Sequence, residues 1–136
     1  VSGNDPSLVD GYSVEPVAQG LGGPTCLVWA DDVHLLLCDR DSGQIIELNI
    51  TSDERRTLLD GLDRPHGLLL NNGSAYVSEA GTLTKFTVGE DGQFVSPQPL
   101  VEGIKSSNHQ TNAVNLLSNG TLAWHSKILK KNEEIA

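Results

Sequence analysis

The chain has 136 residues, 38% of them hydrophobic and 20% charged, with a net charge of −9. That balance excludes a disordered chain, and no apolar run approaches the roughly 18 residues that a membrane-crossing helix needs. The acidity disfavours a nucleic-acid partner, whose phosphates would be repelled.

Residues 1–17 carry no strong periodicity and read as a lead-in segment. The chain begins with Val1 and shows no signal-peptide pattern, so it is expected to be a processed or excised piece. Four short strands follow. Thr25–Ala30 comes first, introduced by Pro24, and Asp31-Asp32 turns the chain into His34–Asp39. After the turn at Asp41-Ser42-Gly43, Gln44–Asn49 alternates apolar and polar residues as a half-buried strand does. Arg56–Leu59 closes the unit. A second unit repeats the order with His66–Leu70, a turn at Asn71-Asn72-Gly73, Ser74–Glu79, a turn at Ala80-Gly81, Leu83–Val88, and Phe94–Leu100. Pro97 and Pro99 lack the amide a ladder requires, so this last strand is expected at a sheet edge. A third unit holds one hairpin, turning at Ser118-Asn119-Gly120. After Trp124-His125 the alternation stops, and residues 126–136 read as an atypical tail.

The units are copies. Gly20-Leu21, Gly61-Leu62 and Gly103-Ile104 open them at spacings of 41 and 42 residues. Strand-rich repeats of this length are the sequence signature of β-propeller blades. Residues 18–125 are therefore expected to form an all-β, partial β-propeller of about two and a half four-stranded blades. Sheet edges and blade faces left open would pair with missing blades or with another chain.

The third unit is longer at one place. Measured between hairpin turns, it exceeds the second by more than the Gly-Leu anchors do. About five extra residues fall in Lys105-Ser106-Ser107-Asn108-His109-Gln110, just before an innermost strand. In a propeller that segment lies at one mouth of the central channel, and an enlarged polar loop on a rigid scaffold is where a site is expected. His109 is the candidate proton acceptor, because an imidazole titrates near neutral pH. Asn108 and Gln110 offer donors and acceptors to a hydroxyl-rich ligand. His66 matches Asn108 by position in its unit and is a further candidate for contact with substrate. Its alternative is a histidine satisfied by nearby backbone.

Other features have plainer readings. Asp31-Asp32, Asp39-Arg40-Asp41 and Glu90-Asp91-Gly92 lack the spacing of a calcium loop and read as solvated turns. Cys26 and Cys38 face each other if residues 31–33 make the turn. A cross-strand disulfide is then conceivable, but two small buried hydrophobes are the favoured reading. Asn49, Asn72 and Asn119 begin N-x-S/T sequons. Turn chemistry alone accounts for the two that are followed by glycine.

These residues resemble the soluble quinoprotein glucose/sorbosone dehydrogenase family. The matching parts are the Gly-Leu-x-x-Pro opening at Gly20–Pro24, the Asp39-Arg40-x-x-Gly43-x-Ile45 hairpin, the stretch Arg64-Pro65-His66-Gly67-Leu68, and Ser106–His125 with its Asn108-His109-Gln110. The resemblance implies a six-bladed parent that binds pyrroloquinoline quinone (PQQ) and Ca²⁺. Such an enzyme oxidises a carbinol of a small sugar or alcohol by hydride transfer to the quinone. His109 is implied as the general base. Asn108 stands where the glucose-oxidising branch carries an acidic residue. The family's cofactor ligands lie mostly in later blades, so this piece alone is expected to retain neither PQQ nor Ca²⁺ and to be inactive. An extracellular or periplasmic location is implied by the family only. The alternatives are a calcium-dependent lactonase-type propeller hydrolase and a non-catalytic NHL-like binding propeller.

Overall fold

A computed structural model describes residues 8–103 and 113–124. Every regular element among them is a strand. The first sheet is a meander of β1 (Pro24–Trp29), β2 (His34–Asp39), β3 (Gln44–Asn49) and β4 (Arg55–Leu59). The second repeats it with β5 (Gly67–Asn71), β6 (Ser74–Glu79), β7 (Thr82–Val88) and β8 (Phe94–Val101). A third, two-stranded sheet pairs β9 (Val114–Leu116) with β10 (Leu122–Trp124). All pairings are antiparallel. Three strands (β2, β3 and β6) coincide with the segments expected from sequence, and the other expected strands differ by a residue or two at their ends. β8, with Pro97 and Pro99, pairs with β7 alone and forms the edge of its sheet.

Packing between sheets explains the alternation. Side chains on one face of β2 and β3, including Leu36, Cys38 and Ile45, meet Leu68, Ala75, Val77, Phe86 and Phe94 of the second sheet. The second sheet presents Leu83 on its other side to Val114, Leu122 and Trp124 of the third. The core is therefore a set of layers between sheets, with β1, β5 and β9 adjacent in that order. Leu35, Leu37 and Leu48 face the other way from the first sheet, packed against Ala18 and Leu21. Burying each of these Leu or Val side chains is worth roughly 1.5–3 kcal/mol, which favours this register over any one-residue slip.

The repeated glycine has a backbone cause. Gly20, Gly61 and Gly103 adopt φ of 77°, 74° and 74°, a left-handed conformation that penalises any side chain. Gly61 redirects the chain as it leaves the first unit for the second. The junction is tied by a hydrogen bond from the Leu62 amide to the Gly43 carbonyl, 3.0 Å long.

The two Asn-Gly turns differ. Asn72 and Gly73 both take positive φ, 49° and 78°, in the two-residue hairpin between paired Asn71 and Ser74. In the third sheet only Gly120 is left-handed. There the loop is Ser118-Asn119-Gly120, closed by Gly120 N–H to Leu117 C=O at 2.9 Å and Leu117 N–H to Thr121 C=O at 2.8 Å.

The favoured reading of the cysteines as free thiols is corrected. Cys26 and Cys38 are joined in a disulfide, with Cα atoms 5.0 Å apart. The expected register holds without interruption from Cys26↔Cys38 to Trp29↔Leu35. Both side chains lie in the layer between the first two sheets, Cys38 fully buried and Cys26 packed against it. Directly cross-strand positions fall within the Cα spacing a disulfide accepts.

Candidate functional site

The innermost strands all begin at one end of the molecule, and that end is assembled from repeated parts. In the first two units the connection into the innermost strand is clasped by the last residue of the second strand. In the first unit this is Asp39, whose Oδ2 accepts from Gly22 N–H at 3.1 Å and whose Oδ1 accepts from Gly23 N–H at 2.8 Å. The Arg40 amide donates back to the Gly23 carbonyl at 2.8 Å. In the second unit Glu79 Oε2 accepts from Asp63 N–H at 2.9 Å, and Ala80 N–H returns a bond to the Asp63 carbonyl at 2.8 Å. Asp39 is only 4% exposed, so the expectation of a solvated turn fails there. The sequence signal was available: Asp39 and Glu79 each end a strand one turn before a glycine. Asp31 and Asp91 do sit in exposed turns, accepting backbone amides two residues on.

The two carboxyl groups titrate in opposite senses. Burial pushes Asp39 up, but the Gly23 and Gly22 amides and Ser42 outweigh it, and the net pKa lies below the ordinary 3.8. Burial dominates at Glu79, helped by the charge of Asp63 and opposed by the Asp63 amide, and the pKa rises above the ordinary 4.5. A depressed folded-state pKa stabilises fully above the unfolded value and is lost as pH falls through the folded one. A raised carboxyl pKa does the reverse, weakening the fold at neutral pH and relaxing as pH falls towards 4.5. Asp39→Asn puts an amino group where one backbone amide needs an acceptor, and is expected to cost about 1–3 kcal/mol at pH 7. The gap between wild type and variant in urea midpoint should close as pH drops below 3.8. A gap that persists unchanged there would contradict the clasp.

His66 lies at this end, immediately before β5. Its main-chain amide donates to the Ser78 carbonyl at 2.9 Å. Its ring Nδ1 is 2.6 Å from the Arg64 carbonyl. A carbonyl only accepts, so Nδ1 carries the hydrogen and, in the neutral ring, Nε2 keeps the lone pair. The ring is half-buried. Arg64 holds a positive φ of 51°, and its guanidinium pairs with Asp63 at 3.0 Å, both well exposed. The Pro65 carbonyl accepts from Thr25 Oγ1 at 2.7 Å, linking the first two innermost strands beside His66.

Behind His66 lies a buried polar link that the sequence analysis did not anticipate. Trp124 Nε1 donates to Ser78 Oγ at 2.7 Å across the second and third sheets. Ser78 is paired with Gly67, occupying the place that the Cys26–Cys38 pair holds in the first sheet. An indole N–H inside a core requires such a partner.

His109, Asn108 and Gln110 lie outside the described residues, as do His125 and the tail. The lengthened connection they belong to is nonetheless bracketed. β5 begins six residues after its anchor, Gly61 to Gly67, and β9 begins eleven after Gly103, at Val114. The five-residue excess agrees with the turn spacing. Among the described residues, no three His, Cys, Asp or Glu side chains converge as a metal ion would need. Both oxygens of Asp39 are already engaged by amides. The described residues therefore gather no cluster of carboxylates for a calcium ion. No helix among them is long and apolar enough to cross a membrane.

Solved structures decide the architecture. The aldose sugar dehydrogenase of Streptomyces coelicolor in its PQQ-bound form is 18% identical over 80% of this chain and 39% of its own, with a TM-score of 0.67. The PQQ domain of pyranose dehydrogenase from Coprinopsis cinerea, in its holo form, is 17% identical over 88% and 31%, with a TM-score of 0.74. The WD40 β-propeller domain of Doa1 is 20% identical over 76% and 33%, with a TM-score of 0.53. The fold is a partial β-propeller. The propeller sector spans about a third of the length of each of these structures. No family model matches the chain, and no curated protein matches it. The three sheets are thus two four-stranded blades and one hairpin of a third, with His66 at the clasped end.

Proposed function

We propose that this chain is a sector of a PQQ-dependent sugar or alcohol dehydrogenase. The reading is carried by one coincidence. The fold matches two sugar dehydrogenase propellers that contain or are named for PQQ, and the same chain holds the Asn108-His109-Gln110 segment in its lengthened third connection. The disulfide supports an oxidising compartment, in keeping with an extracellular or periplasmic enzyme.

In the parent, the quinone is the oxidant and calcium its polarising cation, both held by residues beyond those described. This sector contributes the substrate side. His109 is assigned removal of the hydroxyl proton from the carbinol, since neutral imidazole is a competent base for an alcohol. Asn108 and Gln110 are assigned hydrogen bonds to neighbouring hydroxyls. His66, with its Nδ1–H committed to the Arg64 carbonyl, would offer Nε2 as an acceptor to a substrate hydroxyl at the same mouth.

The test is titration of the parent propeller with PQQ and Ca²⁺, followed by dye reduction with a panel of aldoses and simple alcohols. Sugar-driven dye reduction that needs the quinone is the expected result. Absence of dye reduction, together with calcium-dependent lactone hydrolysis, would replace this reading with the hydrolase alternative. Absence of both would leave the non-catalytic, NHL-like binding propeller.

A further inference from the structure

The sequons fall at the end of the propeller opposite the anchor glycines. Asn49 ends β3 and pairs with His34, the residue that leaves the β1–β2 turn. The next amide, Ile50 N–H, bonds the Val33 carbonyl of that turn at 2.9 Å. Asn119 lies in the β9–β10 turn, the corresponding place in the third blade. Both asparagines fold back in the same way. Asn49 Oδ1 accepts from Thr51 N–H at 2.9 Å and from Ser52 N–H at 3.1 Å. Asn119 Oδ1 accepts from Thr121 N–H at 3.0 Å. In each case the amide oxygen is engaged by the backbone of the hydroxyl-bearing third sequon residue. Among the described residues, none accepts from either Nδ2. Thr51 and Asn119 are exposed, and Ile50 between the first pair is 37% exposed. The turn role and an acceptor role are therefore compatible, since one uses Oδ1 and the other Nδ2.

We propose that Asn49 and Asn119 are N-glycan acceptors, so that the propeller carries its glycans away from the clasped end that holds His66. Two independent observations meet here. The sequons supply the required hydroxyl residue, and the Cys26–Cys38 disulfide indicates passage through an oxidising, export-linked compartment where such transfer occurs. The co-reactant is an oligosaccharide carried on a lipid pyrophosphate. Asn Nδ2 forms a bond to the anomeric carbon and gives up one proton to the transferase. The anomeric carbon–oxygen bond to phosphate breaks, and the lipid pyrophosphate leaves with that electron pair. Asn72 shares this end but lines the cleft of about 270 Å³ between the first two blades, beside Leu36, Leu70 and Phe94, and is not included. The assignment does not depend on the dehydrogenase reading.

The experiment is glycopeptide mapping of the chain exported by its producing cells. Peptide N-glycosidase in heavy-oxygen water should convert Asn49 and Asn119 to labelled aspartate. In parallel, Thr51→Ala and Thr121→Ala are expected to remove one glycoform step each on a denaturing gel. Both variants keep the backbone amide that Asn Oδ1 accepts, so the turns survive. Unlabelled Asn49 and Asn119 in the exported, disulfide-bonded chain would overturn the proposal. So would an unchanged glycoform ladder in either variant.

Discussion

In the parent propeller, replacing His109 by Ala is expected to lower turnover with sugar by about 10²–10⁴-fold, the usual contribution of a positioned general base. Quinone binding, read from its absorbance on titration, should be nearly unchanged, because the imidazole acts on the substrate hydroxyl. The loss belongs in kcat, since the proton moves only as the transition state forms. Added imidazole should restore part of the rate in the alanine variant. By contrast, Asn108→Ala, Gln110→Ala and His66→Ala should mainly raise KM, because hydrogen bonds to unreacting hydroxyls hold substrate and transition state alike. Full residual turnover in His109→Ala would remove it from the mechanism, while the fold would stand. An effect confined to KM would move His109 into the binding group.

Breaking the Cys26–Cys38 bond is expected to destabilise the chain by about 3 kcal/mol. The two cysteines are 12 residues apart, and cross-linking a loop of roughly this size removes that much freedom from the unfolded chain. For a domain of this length the loss corresponds to a fall of about 10 °C in Tm. Cys38 is fully buried and Cys26 half-buried, so complete reduction is best driven from the unfolded state. The chain should be reduced in denaturant and refolded before the melt is recorded. The Cys26→Ala, Cys38→Ala double variant should melt near the reduced wild type and show no response to reductant. Equal melting of oxidised and reduced wild type would contradict the bond. The position of the bond adds a functional consequence. It ties the innermost strand of the first blade to its neighbour next to the Asp39 clasp, so reduction should loosen the clasped end as well as the blade.

Two features of the third blade show how far sequence reading reaches. The turn at Ser118-Asn119-Gly120 was legible, because few residues other than Asn and Gly tolerate the left-handed positions such turns need. Its geometry was not, since a three-residue loop and a two-residue loop share the same Asn-Gly pair. The lengthened connection was legible from spacing alone. Where His109, Asn108 and Gln110 point lies outside the described residues.

The chain's own order of residues determined the period, the strands and the antiparallel register, because these follow from local turn chemistry and from alternation every second residue. It also determined that β8 is an edge, since proline cannot donate to a ladder. Three outcomes required the folded molecule. The cysteines are bonded because both side chains enter the same layer between blades at a spacing a disulfide accepts. Asp39 is a buried clasp rather than a wetted turn because the preceding connection folds back over it and presents two amides. Ser78 meets Trp124 because the second and third blades pack face to face, 46 residues apart in sequence. Each is a contact between segments distant along the chain. Such contacts are set by how sheets stack, and no local pattern of residue types encodes them.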